Sequence, residues 1–281
     1  MPESKKIVFL DIDGTLADRR NRVPLSARNA CRRARENGHL LYIATGRTRR
    51  QINESILALG FDGIISSGGA CIESGEQLVF SAFLPPSLLE RLLGYFNSRK
   101  AGYLLELPER IITSPAFFFQ FESIAFPLKR LPRASALWSF GNLLRNHIAL
   151  PGEYFNREKV YKLVFLESEH LRFEDVKQNF GDDCEIFRNS VPLSVKGGGE
   201  ITPRGIHKGS AAEWVTRFHS MDRKDTIAIG DSDNDRTMLE YAGLGIAMGN
   251  GNESLKKIAG DITGRVNRGG LSKAFVKYGL A

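Results

Sequence analysis

Ile7-Val8-Phe9-Leu10-Asp11-Ile12-Asp13-Gly14-Thr15-Leu16 decides the fold of this 281-residue chain. The first four residues form a short apolar run rich in β-branched and aromatic side chains, and turn chemistry follows at Gly14, which is the pattern of a buried strand. Two carboxylates therefore emerge where the strand gives way to a loop. Asp11 and Asp13 alternate with Ile12, so both point to the same side. Like charges held that close repel, and they invite a cation or a shared proton. The usual ways to stabilise such a pair are a hard metal ion or a division of roles into nucleophile and proton carrier. The competing reading is a loop carrying two solvated aspartates. The apolar strand before the pair and Gly-Thr after it weigh against that.

A second acidic cluster agrees. Thr226-Ile227-Ala228-Ile229 reads as another buried strand and runs into Gly230-Asp231-Ser232-Asp233-Asn234-Asp235. In a parallel α/β sheet, ligands sit outside the carboxyl ends of the strands, where strand order reverses. Two acidic strand ends meeting there would make an oxygen-rich pocket suited to Mg²⁺. An EF-hand reading of Asp231–Asp235 fails. The glycine such a loop needs next is Arg236, and its final ligand position is Ala242 rather than Glu.

Working outward, residues 5 to about 80 alternate strand and helix. Strand Ile7–Ile12 leads to a helix from Ser26 to Asn37 closed by Gly38, strand Leu40–Ala44, a helix from about Thr48 to Leu59, and strand Gly63–Ser66. Residues 200 to 281 resume the rhythm with helix Lys208–Phe218, strand Thr226–Ile229, helix Arg236–Tyr241, strand Leu244–Ala247 and helix Glu253–Ile258. This alternation predicts an α/β fold: a Rossmann-like parallel sheet with helices on both faces. The middle differs. Pro85-Pro86 opens a helix over Ser87–Phe96, and strand-like runs follow at Tyr103–Leu107, Lys159–Leu166, Cys184–Arg188 and Pro192–Val195, with a helical stretch at Phe173–Phe180. The pattern predicts a catalytic core of residues 1–83 and 197–281 and an inserted α+β domain over 84–196. Phe117-Phe118-Phe119-Gln120-Phe121 reads as core packing or a subunit contact ahead of a pocket lining.

Composition is that of a globular protein, with 42% hydrophobic and 25% charged residues. No apolar stretch is long enough to span a bilayer. The start of the chain leads straight into the first strand, so no signal peptide is expected. Cys31, Cys71 and Cys184 are odd in number and lack metal spacing, which points to a reducing cytoplasm. Cys31 shares a small-residue stripe with Ala27, Ala30 and Ala34, a packing role. The net charge is 39 − 32 = +7. The arginine clusters at 19–22, 32–35 and 47–50 read as solvated helix faces in a protein with an anionic substrate. No aromatic residues are interleaved to stack bases, which weighs against a nucleic-acid partner.

Two further segments suit an anion. Ala44-Thr45-Gly46-Arg47 places a hydroxyl, a free backbone N–H and a guanidinium at a strand-to-helix turn, chemistry that fits a phosphate oxyanion. Gly205-Ile206-His207-Lys208-Gly209 puts a lysine at the start of a helix. The helix dipole disfavours a cation there, so Lys208 is expected to serve something else, with an ordinary surface lysine as the competing reading. His207 reads as structural or exposed.

Asp-x-Asp, Thr-Gly-Arg, Lys and Asp-x-x-Asn-Asp thus occur in that order, each where a strand ends or a helix begins. Over nearly its full length the chain resembles the haloacid dehalogenase superfamily of phosphotransferases, and within it the Cof-type sugar-phosphate phosphatases with an inserted α+β cap. Ile246-Ala247-Met248-Gly249-Asn250 and Gly269-Gly270-Leu271 also match segments of that family. Two positions depart from the family pattern: Gly68-Gly69-Ala70 stands where Asn-Gly-Ala is common, and Arg268 stands where an acidic residue often precedes the C-terminal glycine. The resemblance implies a Mg²⁺-dependent phosphomonoester hydrolase acting on a small phosphorylated metabolite. In it Asp11 is the nucleophile that forms an aspartyl-phosphate, and Asp13 is the acid and base. Asp11, the Asp13 carbonyl and Asp231 hold Mg²⁺. Thr45, Gly46, Lys208 and Asn234 bind the phosphoryl group, and Asp235 orients Lys208 or a metal-bound water. Arg47 and Arg188 are candidate substrate contacts. Two alternatives stay open: a phosphomutase of the same superfamily, and a non-catalytic nucleic-acid or regulatory binder. Oligomeric state is not legible.

Overall fold

The computed structural model describes residues 5–18, 20–117, 148–149, 155–188 and 197–281. The chain divides into two compact units. The first comprises residues 1–80 and 207–281, the second residues 81–206.

The first unit is built on an eight-stranded sheet. Its strands are β1 (Ile7–Leu10), β2 (Leu40–Ala44), β3 (Gly63–Ser66), β4 (Cys71–Ser74), β5 (Gln77–Ser81), β12 (Thr226–Gly230), β13 (Leu244–Ala247) and β14 (Asp261–Ile262), in the order β14-β13-β12-β1-β2-β3-β4-β5. Six of them run parallel, from β14 to β3, and β4 turns back antiparallel on β3. All four side chains of β1 are fully buried, as a strand covered on both faces requires. Val8 and Leu10 join the cluster under α1 (Leu25–Glu36), and Ile7 and Phe9 join the cluster on the other face. Burial of each contributes roughly 1.5–3 kcal/mol. Ala27, Ala30, Cys31 and Ala34 form the buried stripe of α1, where small side chains let the helix sit close to the sheet.

The segment after β2 departs from the expected helix over 48–59. It is a single 3₁₀ turn at Arg49–Gln51, then a break, then one helical turn α2 (Glu54–Leu57). The Gln51 carbonyl accepts from Arg47 Nη1 at 3.3 Å, and the Gln51 side chain accepts from Thr48 N at 2.8 Å. Both bonds draw the segment towards Arg47 and away from a continuous helical ladder.

The second unit carries α3 (Pro86–Ser98), β6 (Tyr103–Glu106), β7 (Ile111–Thr113), β8 (Ile148–Ala149), β9 (Lys162–Leu166), α4 (Phe173–Phe180), β10 (Cys184–Arg188) and β11 (Gly198–Pro203). Its sheet has the order β10-β11-β9-β6-β7-β8 and is antiparallel except between β7 and β8. Helices α3 and α4 cover one face through Leu89, Leu92, Phe96, Phe173 and Val176. The expected boundary after residue 196 needs correction, because β11 bonds to both β9 and β10 and so lies inside the second sheet. The chain returns to the first unit at His207. Phe117 is buried. The rest of the phenylalanine cluster, at 118–121, and the strand expected at 192–195 lie outside the described residues. Helices α5 (Lys208–Phe218), α6 (Arg236–Tyr241), α7 (Glu253–Ile258) and α8 (Gly270–Lys277) complete the first unit. Among the described residues no helix is long and apolar enough to cross a membrane.

Candidate active site

Strand β1 sits between β2 and β12, and from it the order runs outward in both directions. That is the switch point of a doubly wound sheet, and loops leaving the carboxyl ends diverge there to open a crevice. Asp11, Thr45 and Asp231 are the first residues beyond β1, β2 and β12. The Asp11 amide continues the ladder by donating to the Ile229 carbonyl at 3.1 Å.

Lys208 is the charge centre. Its side chain is 1% exposed, and Nζ lies 2.7 Å from Asp11 Oδ1 and 2.6 Å from Asp235 Oδ1. Asn234 Oδ1 stands at 3.5 Å. Burial alone would pull the lysine down, but the two carboxylates outweigh it and hold the ammonium above its ordinary range. The tension noted in the sequence, a cation at a helix start, is resolved by these anions. His207 caps the same helix, its Nδ1 accepting from Ser210 N at 3.0 Å, which is a structural role.

Asp235 has both oxygens committed. While Oδ1 meets Lys208, Oδ2 accepts from the amides of Asp231 and Ser232, each at 3.0 Å. Asp231 is different. Its Oδ2 accepts from Asn250 Nδ2 at 3.2 Å, and its Oδ1 is buried with no hydrogen-bond partner. Burial first, then Asp235, pushes this carboxyl up to about 7. Burial and Asp235 also hold Asp11 well above the carboxylate range, although Lys208 opposes them. One oxygen each from Asp11, Asp231 and Asp235 lies within 4.8 Å of the others. The buried Asp11 and Asp235 and the half-buried Asp231 face one ammonium, which leaves carboxylates in excess of cations. An all-oxygen set with an orphaned carboxylate oxygen fits a hard divalent cation.

Gly14 makes the approach between the two acidic turns possible. Its φ is +84°, and a Cβ there would lie 2.0 Å from Asp231 Oδ2. Only glycine tolerates both the left-handed backbone and the contact.

Asp13 is gripped by Arg47. Nε donates to Asp13 Oδ2 at 2.8 Å and Nη2 to Asp13 Oδ1 at 2.6 Å, a bidentate pair. Nη2 also reaches Asn21 Oδ1 at 3.0 Å. Arg47, expected as a substrate contact, thus enters the site through Asp13. Thr45 is buried. Its Oγ1 accepts from Arg47 N at 3.1 Å and its carbonyl accepts from Gly68 N at 3.0 Å, which stitches the loop after β3 to the Thr45-Gly46-Arg47 turn. The structure therefore brings Asp11, Lys208, Asn234, Asp235 and Asp231 together, with Asp13 and Arg47 paired beside them. Arg188 stands in the second unit, its guanidinium 2.8 Å from Glu174 and over the Phe173 ring.

Sequence reasoning did not assign roles to Asn21, Ser232 or Asn250. Ser232 and Asn21 act through loop geometry that residue type does not announce. Asn250 had two signals, its place just beyond strand β13 and its position in the Ile246–Asn250 segment that matches the family.

A model of the haloacid dehalogenase-like hydrolase family matches residues 8–275, and the chain belongs to that family. It is a hydrolase with a Rossmann-like core. It is 26% identical to the Putative phosphatase YkrA of Bacillus subtilis, over 98% of each chain. It is 30% identical to the Putative phosphatase M6_Spy0533 of Streptococcus pyogenes, over 99% of each. The HMP-PP phosphatase of Yersinia enterocolitica is 27% identical over 90% of this chain and 86% of its own. Among solved structures, a haloacid dehalogenase-like hydrolase from B. subtilis superposes with a TM-score of 0.82 at 24% identity, covering 96% of this chain and 99% of its own. A subclass IIB sugar phosphatase superposes at 0.78, also at 24% identity, over 99% and 100%.

Proposed function

We propose that the protein is a Mg²⁺-dependent phosphatase of small organic phosphates, sugar phosphates among them, working through a phosphorylated Asp11. One observation carries the reading: a buried lysine binds Asp11 while the neighbouring Asp231 keeps a carboxylate oxygen without a partner. Lys208 orients one oxygen of Asp11, and Asp235 holds Lys208 in place. Asp11 attacks phosphorus and the ester oxygen leaves, taking a proton from Asp13. Asp13 then removes a proton from water as that water attacks the phosphorus, and Asp11 is released with inorganic phosphate. Thr45, the Gly46 amide, Lys208 and Asn234 bind the phosphoryl oxygens as charge moves onto them. Bound at the Asp11 and Asp231 carboxylates and the Asp13 carbonyl, Mg²⁺ would neutralise charge and polarise a phosphoryl oxygen. Asp13 must leave Arg47 to reach a substrate oxygen, so the bidentate pair describes a resting arrangement. The inserted second unit is assigned the selection of the leaving group.

The names of relatives support phosphoester chemistry of this kind. The test is a panel of phosphomonoesters assayed for phosphate release with Mg²⁺ and with EDTA, with Asp11→Asn as control. Phosphate released in Mg²⁺ and absent from both controls supports the reading. An isomerised sugar phosphate without free phosphate would make the protein a phosphomutase. No turnover on any ester, together with a salt-dependent oligonucleotide shift, would make it a binder.

A further inference from the structure

We propose that Asn250 sets the ion preference of the site: by occupying one oxygen of Asp231 it confines that carboxylate to single-oxygen ligation and favours Mg²⁺ over Ca²⁺. The proposal rests on the Mg²⁺ reading above and adds a determinant of selectivity to it.

One amide ties three loops. Asn250 Nδ2 donates to Asp231 Oδ2 at 3.2 Å and to the Gly14 carbonyl at 2.8 Å, and Asn250 Oδ1 accepts from Val266 N at 2.8 Å. The Val266 amide can only donate, so it fixes which end of the Asn250 side chain faces Asp231. The residue is held elsewhere as well. The same Oδ2 packs against Gly14, 2.0 Å from where a Cβ would stand, and the Asp231 backbone carbonyl accepts from Asn252 N at 3.0 Å. Oδ1 alone is left without a partner.

Ca²⁺ takes six to eight oxygens in flexible geometry and often binds both oxygens of one carboxylate. Mg²⁺ takes six in a compact octahedron and is content with one. A carboxylate whose second oxygen is held by an amide donor meets the second demand and resists the first. Groups that orient metal ligands in this way are typically worth about 10- to 100-fold in affinity. Asn250 therefore acts as a positioning residue that reads coordination number.

The experiment is calorimetric titration of the full metal-free chain with Mg²⁺ alone and with Ca²⁺ alone, for the wild type, Asn250→Ala and Asn250→Asp. The expected result is that Asn250→Ala loses about tenfold in Mg²⁺ affinity and less for Ca²⁺, so the ratio of the two moves towards Ca²⁺. Asn250→Asp is isosteric and keeps an acceptor for Val266 N but has no donor. Its ratio should shift the same way, which guards against a folding defect in the alanine variant. An unchanged Mg²⁺-to-Ca²⁺ ratio in both variants overturns the proposal. A wild type that binds neither ion overturns the Mg²⁺ reading beneath it, a result distinguishable from the first.

Discussion

Replacing Lys208 with methionine should be one of the most damaging single changes in the first unit, and the reason is burial rather than distance. Nζ bridges Asp11 and Asp235 at 2.7 and 2.6 Å, with the lysine side chain 1% exposed. Methionine keeps most of the volume and removes the charge, which leaves those two carboxylates facing Asp231 with no counter-ion. Removing one partner of a buried ion pair costs about 3–5 kcal/mol. At roughly 2–4 °C per kcal/mol for a unit of this size, Tm should fall by about 10 °C. Lys6 supplies the contrast: its pair with Asp225 is also 2.7 Å long, but the side chains are 26% and 20% exposed. Lys6→Met should cost no more than about 1 kcal/mol. The assay is thermal or urea unfolding in EDTA at pH 7.5 and at pH 5. The gap between Lys208→Met and wild type should narrow at pH 5, because carboxylates deprived of their ammonium take up protons and shed the repulsion. A Lys208→Met protein as stable as wild type at pH 7.5, or a gap that widens in acid, would refute the argument.

Asp13→Asn should slow transfer from an alkyl phosphate far more than from an aryl phosphate, since a phenol needs little help to leave. Because the variant also lacks the base for the second step, an aryl phosphate should give a burst near one equivalent of phenol per site. Asp11→Asn should give none, and a burst from it would sink the assigned roles. The raised Asp231 carboxyl sets a pH dependence: in EDTA the native state keeps its proton up to about pH 7, while the unfolded chain releases it near 3.8. The native state binds more protons between those values, so this stabilising contribution is full below 3.8 and lost as pH rises through about 7, with a slope of at most about 1.4 kcal/mol per unit. Mg²⁺ must displace that proton, and its apparent affinity should rise up to about tenfold per pH unit below 7 and then level off; calorimetry in buffers of different ionisation enthalpy reads the proton released. Gly14→Ala should weaken Mg²⁺ binding at least about tenfold, because its Cβ meets Asp231 Oδ2 at 2.0 Å on a left-handed backbone; an unchanged Mg²⁺ titration would contradict the geometry.

The parts of the site legible from sequence were those in which strand and chemistry are neighbours in the chain. Asp11 and Asp231 each follow an apolar run directly, so strand, turn and carboxylate are read in a single window. Lys208 was legible through a local conflict, a cation where the helix dipole opposes it. What escaped depends on meetings across space. The grip of Arg47 on Asp13 joins residues 34 apart and also explains the broken helix after β2, where helical periodicity alone suggested continuity. Strand β11 itself was hidden, because Gly198-Gly199 open it and Pro203 closes it, residues that weaken the strand signal. Asn250 bonds to a turn 236 residues earlier, and its residue type gives no hint of that.

The pairing of β1 with β12 has a consequence for how the protein is made. Ile7 lies beside Leu40 on one edge and Thr226 on the other. The first edge can be covered as soon as β2 leaves the ribosome. The second waits for a strand 219 residues later, since 226 − 7 = 219. At about 5–20 residues per second, that edge of a fully apolar strand stands open for roughly 10–45 s. Exposed strands of this kind recruit other chains unless charges flank them. Lys5 and Lys6 stand before β1, and Asp11 and Asp13 stand after it. By that rule Asp11 and Asp13, besides their places in the folded chain, would flank the newborn strand with charge until its last partner arrives.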